Sequence, residues 1–508
     1  MLWELPQPCF AAKLCRMSET IELPLWLFVL ILLFAAVTFA SHFLFPSVRW
    51  FFRRRFERAV ERVNRRLERP IEPFKLTRRY DMIQRLVYDP EVAKAIAQHA
   101  AEQGVPENVA FQQARRYARE IVPTFSAFAY FGFAIRAARW LSNAIYRVRL
   151  GYQDEAALRQ LDPNATLIFV MNHRSNMDYV LVTYLAARRS ALSYAVGEWA
   201  RVWPLSGLIR AMGAYFIRRK SRNDLYRRVL SAYMRLATQG GATQAMFPEG
   251  GLSLDGALAA PRLGLLKYIV EAADPYGADP QGRDVVFVPV GLNYDWVLED
   301  TILTSAARAG ERRFRARIGV VMGRILRQLW LWMTGRYHRF GYSAVTFGRP
   351  LSLRQFAQAH RAAREEVAEP ASGRHLTSDL ATELLGRIGS AVPVLPVPMA
   401  AWLLLQHGPM RADVLSHRMA VLSAQMAPVS VHHHSAALSS EAESAARILS
   451  MRGLIRREKG LLIPERAKRD LLVYYANSIA HLVPHNALGL GSGGNAASAK
   501  ENSASARS

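Results

Sequence analysis

The sequence predicts an α/β protein, and three observations carry that reading. Between about residues 151 and 360, short apolar runs alternate with helix-forming stretches, the pattern of strands and helices in turn. Four of those runs break off into polar residues, and the carboxyl ends of strands are where open α/β sheets place their sites. The flanking segments, 49–150 and 371–485, read as mainly helical.

Composition bounds the rest. With 508 residues, 51% of them hydrophobic and 10% aromatic, the chain can fill two or three domain cores and is not a disordered protein. Lys and Arg outnumber Asp and Glu by 66 to 41, a formal charge of +25. Such an excess implies an anionic partner: lipid headgroups, a phosphorylated substrate or nucleic acid. The only cysteines are Cys9 and Cys15, so no disulfide framework or four-cysteine metal site supports the fold, and a reducing compartment fits.

In chain order, residues 1–48 contain an apolar run, 23–45, without Lys, Arg, Asp or Glu. It is long enough to span a bilayer and lacks the small-residue cleavage site of a signal peptide, so a retained anchor is expected. Nine arginines follow within 49–69, against Lys13 and Arg16 before the run, which puts the main body on the cytoplasmic side. Phe52, Phe56, Val60, Val63 and Leu67 recur among those arginines at helical spacing, a basic amphipathic helix suited to anionic lipid. The apolar block 121–135 is short for a second span and is expected to pack in the core or to lie shallowly in the bilayer with the segment around Arg136, Arg139 and Trp140. The α/β domain occupies 151–360, a helical domain 371–485, and a Gly-, Ser-, Ala- and Asn-rich tail reading as disordered begins at 486. Adjacent His432, His433 and His434, with no distant partners, make a poor metal site, and neither metal nor cofactor is expected.

The first of the four runs, Thr166-Leu167-Ile168-Phe169-Val170-Met171, delivers Asn172-His173-Arg174-Ser175-Asn176-Met177-Asp178-Tyr179. Five residues on one helix separate two side chains by about 140°. With His173 in the strand-to-helix turn and Asp178 in the first helical turn, however, the carboxylate can fold back, hold the imidazole and fix its tautomer for general-base work. The alternative is a polar turn residue followed by an ordinary first-turn acid. The second run ends in Arg218, Arg219 and Lys220, where fixed guanidinium groups can bind phosphate. In the third, Pro248, Glu249, Gly250 and Gly251 offer a hydrogen-bond acceptor and glycines that let a ligand approach the backbone. The fourth contains Pro289, which is expected to mark an edge, a bulge or the strand's end.

In this order the four blocks resemble those of the membrane-bound bacterial glycerol-3-phosphate acyltransferases, within the wider glycerolipid acyltransferase superfamily. The matching patterns are His-x-x-x-x-Asp at His173 to Asp178, Gly-x-x-Phe-Ile-Arg-Arg at Gly213 to Arg219, Pro-Glu-Gly-Gly at Pro248 to Gly251, and Val-Pro-Val at Val288 to Val290. Likeness extends over most of residues 70–485. The resemblance implies an acyltransferase domain with a mixed sheet flanked by helices. It implies His173 as general base on the sn-1 hydroxyl of glycerol 3-phosphate, Asp178 holding it, and transfer from acyl-CoA or acyl carrier protein without a covalent enzyme intermediate. Substrate binding then falls to Arg174, Ser175, Arg218, Arg219, Glu249, Gly250, Gly251, Ser253 and Pro289. An anchored, cytoplasm-facing enzyme of the inner membrane in contact with anionic lipids is implied, with no nucleic-acid partner. One departure stands out. The family's third block continues Gly-x-Arg-Ser with a second basic residue soon after, whereas this chain reads Gly251-Leu252-Ser253-Leu254-Asp255-Gly256. Arg262 and Lys267, next on the chain, are candidates for the missing cation. Other acceptors, such as 1-acylglycerol 3-phosphate or dihydroxyacetone phosphate, remain alternatives, as does a non-enzymatic basic membrane-surface or nucleic-acid-binding protein.

Overall fold

A computed structural model describes residues 24–36, 70–186, 192–196, 205–218, 223–275, 282–310, 340–366, 373–426 and 438–484, with single positions between them. The chain divides into two units, 1–66 and 67–508. In the first, residues 25–36 are helical, and Leu25, Trp26 and Phe28 through Phe34 are all exposed. Among the described residues no helix is long and apolar enough to cross a membrane. The remainder of the expected anchor, most of the basic helix over 49–69, the histidines at 432–434 and the tail from 486 lie outside the described residues.

The second unit is built on one mixed sheet. Its strands are β1 (Arg147–Tyr152), β2 (Thr166–Met171), β3 (Ser193–Val196), β4 (Tyr215–Phe216), β5 (Gln244–Met246), β6 (Val285–Tyr294), β7 (Tyr342–Phe347) and β8 (Leu351–Ser352). The order is β1-β7-β6-β2-β5-β3-β4, with β8 also on β6. β2 through β6 run parallel, so their carboxyl ends share one edge; β7 and β8 are antiparallel to β6. The apolar character of β2 follows from this position, because a strand flanked by parallel neighbours is covered on both faces. Leu167, Phe169 and Met171 enter one core and Ile168 and Val170 the other, the period of two that a strand imposes.

Helices cover both faces: α1 (Arg79–Val87), α2 (Pro90–Gln103), α3 (Glu107–Ile121), α4 (Met177–Ala186), α5 (Asp224–Gln239), α6 (Gly264–Ala273), α7 (Gly373–Ala391), α8 (Pro396–His407), α9 (Leu438–Met451) and α10 (Arg469–Ala480). The core containing Ile168 is closed by α1, α2, α3, α5, α6 and α7, and the one containing Phe169 by α8, α9 and α10. The helices after residue 371 thus form the sheet's outer cover: Asn293 donates to Pro393 O (2.8 Å), and Val397 N donates to Asp295 (2.9 Å). The block 121–135 puts Ile121, Ala127, Tyr130 and Ala134 in the interior and leaves Phe133 exposed.

Pro289 corrects the sequence expectation. It lies inside a ten-residue central strand, level with Val170. Its carbonyl accepts from Gly348 N (2.8 Å), so its ring nitrogen faces the same way, where the partner of β6 changes from β7 at Val290 to β8 at Phe287. No ladder donor is missed at that gap, which is why a central strand accommodates a proline.

Candidate active site

Beyond Met171 the side chain of Asn172 continues the ladder for one step. It donates to Leu292 O (2.9 Å) and accepts from Leu292 N (2.8 Å), fixing where the chain leaves the sheet. The next residues turn, and α4 begins with Asp178 in its first turn. Asp178 Oδ2 accepts from Arg174 N (2.7 Å) and Ser175 N (3.0 Å) and meets His173 Nδ1 at 2.9 Å. Oδ1 accepts from the Tyr294 hydroxyl (2.5 Å). A carboxylate so placed orients the ring with Nδ1 protonated and Nε2 carrying the lone pair. The ring is stacked on Phe247 (centroids 3.9 Å, 22°) and edge-on to Tyr179 (5.4 Å), and it is buried.

The turn after β5 wraps this loop. Glu249 is buried, and its oxygens accept from His173 N (3.0 Å) and Ala259 N (2.9 Å). Burial raises its pKa, opposed by those two bonds and by nearby Arg174. Its carboxylate braces the histidine loop against the strap 257–262. Gly250 has φ +70°, open to glycine at little cost. Ser253 N donates to His173 O (2.9 Å), while its hydroxyl accepts from Gly256 N (3.0 Å) and donates to Ala257 O (2.7 Å).

Several residues expected at the substrate are turned elsewhere. Arg174 is fully buried, and its guanidinium donates to Gly256 O and Ser478 O, tying the strap to α10. Ser175 donates to Glu299 (2.7 Å), a buried acid that also accepts from Asn176 N (3.2 Å) and Asn176 Nδ2 (3.1 Å). Burial raises the pKa of Glu299, opposed by these bonds and reinforced by the charge of Asp178. Arg218 follows β4, three strands from β2, roughly 14 Å at the usual strand spacing. Its guanidinium forms a two-point pair with Glu120 on α3 (2.9 and 2.7 Å) over the rings of Tyr117 and Tyr226, and the pair pushes its pKa up. Arg219 lies outside the described residues. His173, Asp178, Glu249, Gly250 and Ser253 therefore converge, while Arg174, Ser175, Arg218 and Pro289 face interior partners.

Sequence reasoning did not single out Asn172, Tyr294 or Glu299 as part of this frame. Tyr294 closes the fourth apolar run, and Glu299 follows by five positions, but nothing local tells which polar residue after a strand folds back upon a neighbouring loop.

A histidine at the carboxyl edge of a parallel sheet, oriented by an acid five residues on and walled by a Glu-Gly-Gly turn, is the arrangement that the resemblance to glycerolipid acyltransferases implies. The comparisons with known proteins agree. Residues 152–293 match the acyltransferase family model, and 329–494 match the glycerol-3-phosphate acyltransferase C-terminal region. The chain is 27% identical over 426 residues to a glycerol-3-phosphate acyltransferase of Pseudomonas putida strain W619, covering 80% of this chain and 49% of that protein. It is 28% identical over 422 residues to one of Aeromonas hydrophila (80% and 50%), and 29% over 340 residues to one of Shewanella amazonensis (65% and 40%). The chain is thus a relative of the bacterial glycerol-3-phosphate acyltransferases, and it spans about half the length of the curated relatives it matches.

Proposed function

We propose that the chain transfers a fatty acyl group from an acyl thioester to the sn-1 hydroxyl of glycerol 3-phosphate. The observation that carries this reading is the His173–Asp178 pair, in which Nδ1 is held at 2.9 Å and Nε2 makes no hydrogen bond among the described residues. Nε2 removes the hydroxyl proton as the acceptor oxygen adds to the thioester carbonyl. The tetrahedral intermediate carries its charge beside the Gly250–Leu252 turn, where the N–H groups of Gly251 and Leu252 make no hydrogen bond among the described residues. Collapse breaks the carbon–sulfur bond, and the leaving thiolate takes the proton from the imidazolium. The products are 1-acylglycerol 3-phosphate and a free thiol, with no acyl-enzyme. The two substrates need only be held together and deprotonated at one oxygen.

The donor is acyl-CoA or acyl carrier protein, both anionic, which suits a chain of charge +25. The exposed apolar helix over 25–36 and the nine arginines of 49–69 support attachment to the inner membrane with the second unit in the cytoplasm. One observation favours a second acceptor: Leu252 stands where the resemblance places arginine, so 1-acylglycerol 3-phosphate or dihydroxyacetone phosphate is the competing reading.

Thiol release from palmitoyl-CoA and from palmitoyl acyl carrier protein, measured with each acceptor offered separately, tests this. Glycerol 3-phosphate giving the highest kcat/KM supports the reading. Activity only with another acceptor moves the substrate, and inactivity with all of them removes the function.

A further inference from the structure

If phosphate is part of the acceptor, a cation must meet it, and among the described residues the expected source is otherwise engaged. Arg218 is neutralised by Glu120 and lies three strands away from β2. Leu252 stands where the resemblance places arginine, and it packs against the apolar core. Lys267 sits on α6 beside Glu271 (3.5 Å). Glu249 and Arg174 are buried and bound to the backbone.

We propose that Arg262, lying across Gly250, binds the phosphate of the acceptor and sets the preference for a phosphorylated alcohol. This rests on the acyltransferase reading of the same site. The backbone of Arg262 is pinned, its N–H donating to Pro248 O (2.8 Å) at the start of the turn. Its side chain then runs over Gly250 so closely that a Cβ there would come 2.7 Å from Arg262 Cδ and 3.3 Å from Nε. Gly250 is itself next to Glu249, which accepts from His173 N at 3.0 Å. The guanidinium is thereby carried past the Glu249–Gly250 turn. It is exposed and has no acidic partner among the described residues.

The chemistry fits an anion with several oxygens on one centre. A guanidinium presents a planar fork that matches phosphate at two points. Gly250 is then required twice, for its φ of +70° and for the passage of Arg262. The phosphate is remote from the reacting hydroxyl, so its contact acts equally on bound substrate and transition state and appears in KM.

The detergent-solubilised chain is compared with Arg262→Ala, Arg262→Lys, Lys267→Ala and Arg218→Ala. Arg262→Ala is expected to raise KM for glycerol 3-phosphate roughly ten- to hundredfold with kcat within about threefold. Arg262→Lys recovers part of that loss, Lys267→Ala changes nothing, and acylation of glycerol, which carries no phosphate, is unaffected by any of them. An independent readout is the melting temperature in inorganic phosphate, which rises for the wild type and not for Arg262→Ala. Unchanged KM and equal phosphate stabilisation in Arg262→Ala overturn the proposal, as does a KM effect confined to Arg218→Ala. A wild type that is stabilised through Arg262 but transfers no acyl group keeps the anion site and removes the acyltransferase reading. A wild type that does neither removes both. If Arg262→Ala fails to fold, Arg262→Lys and Arg262→Gln carry the same comparison.

Discussion

Replacing Tyr294 with Phe isolates the outer support of the His173–Asp178 pair. Tyr294 is fully buried, and among the described residues its hydroxyl alone meets Asp178 Oδ1, at 2.5 Å, whereas Oδ2 has three partners. The ring packs against Tyr146 (centroids 5.4 Å), contact that Phe retains. Burial, with the charge of Asp178 beside it, pushes the phenol pKa well up, so Tyr294 donates at every working pH. The substitution therefore removes one hydrogen bond to a charged acceptor, worth about 1.5–3 kcal/mol, and leaves a buried carboxylate oxygen unmet. Melting is expected to fall by a few degrees. If the same energy is lost in orienting His173, kcat falls about ten- to hundredfold, and KM stays near wild type because the phenol touches no substrate. Parallel thermal melts and initial rates of thiol release measure both. A Tyr294→Phe protein with wild-type kcat and wild-type melting would refute the claim that Asp178 is held from outside and that its position matters.

Two further substitutions probe the frame. Gly256 has φ +85°, and a Cβ there would sit 1.8 Å from Tyr474 O, so Gly256→Ala must displace α10 or the strap; loss of several kcal/mol is expected, read as a large drop in melting temperature or in soluble yield. Asp295 accepts from Tyr342 N (2.8 Å) and Val397 N (2.9 Å), yet burial raises its pKa to about 6. Its folded value lies above the unfolded one, so its contribution is fully present below about pH 4 and is lost as pH rises through about 6, because the unfolded chain releases the proton first. Melting temperature against pH for wild type and Asp295→Asn should therefore differ in slope between about pH 4 and 6 and run parallel above that, and parallel curves throughout would contradict the assignment.

How far the sequence could be read depends on the range of each cause. The β2 run and the polar turn after it are local: six buried strand residues followed by His173 and a first-turn Asp178 already state where the imidazole sits and which carboxylate holds it. The mixed character of the sheet came from the resemblance, since no periodicity says which neighbour is antiparallel. Pro289 was misplaced because a proline's tolerance depends on what lies across the strand, here the gap between β7 and β8. Arg218 was correctly put at a strand's end, but its partner Glu120 is 98 positions earlier and gives no local signal. Arg174 was assigned to the substrate by the resemblance, yet the carbonyls of Gly256 and of Ser478 on α10 meet its guanidinium. Glu249 was read as a substrate acceptor for its type alone, and only the fold shows both oxygens turned to backbone N–H groups.

The central claim is that His173 is the base of an acyl transfer, and the most direct measurement is product formation by wild type and His173→Ala in one membrane or detergent preparation, with palmitoyl-CoA and glycerol 3-phosphate as substrates. The account predicts 1-acylglycerol 3-phosphate from the wild type and a rate reduced at least a hundredfold in a variant that melts within a few degrees of it. Equal product formation by a folded His173→Ala protein would contradict it.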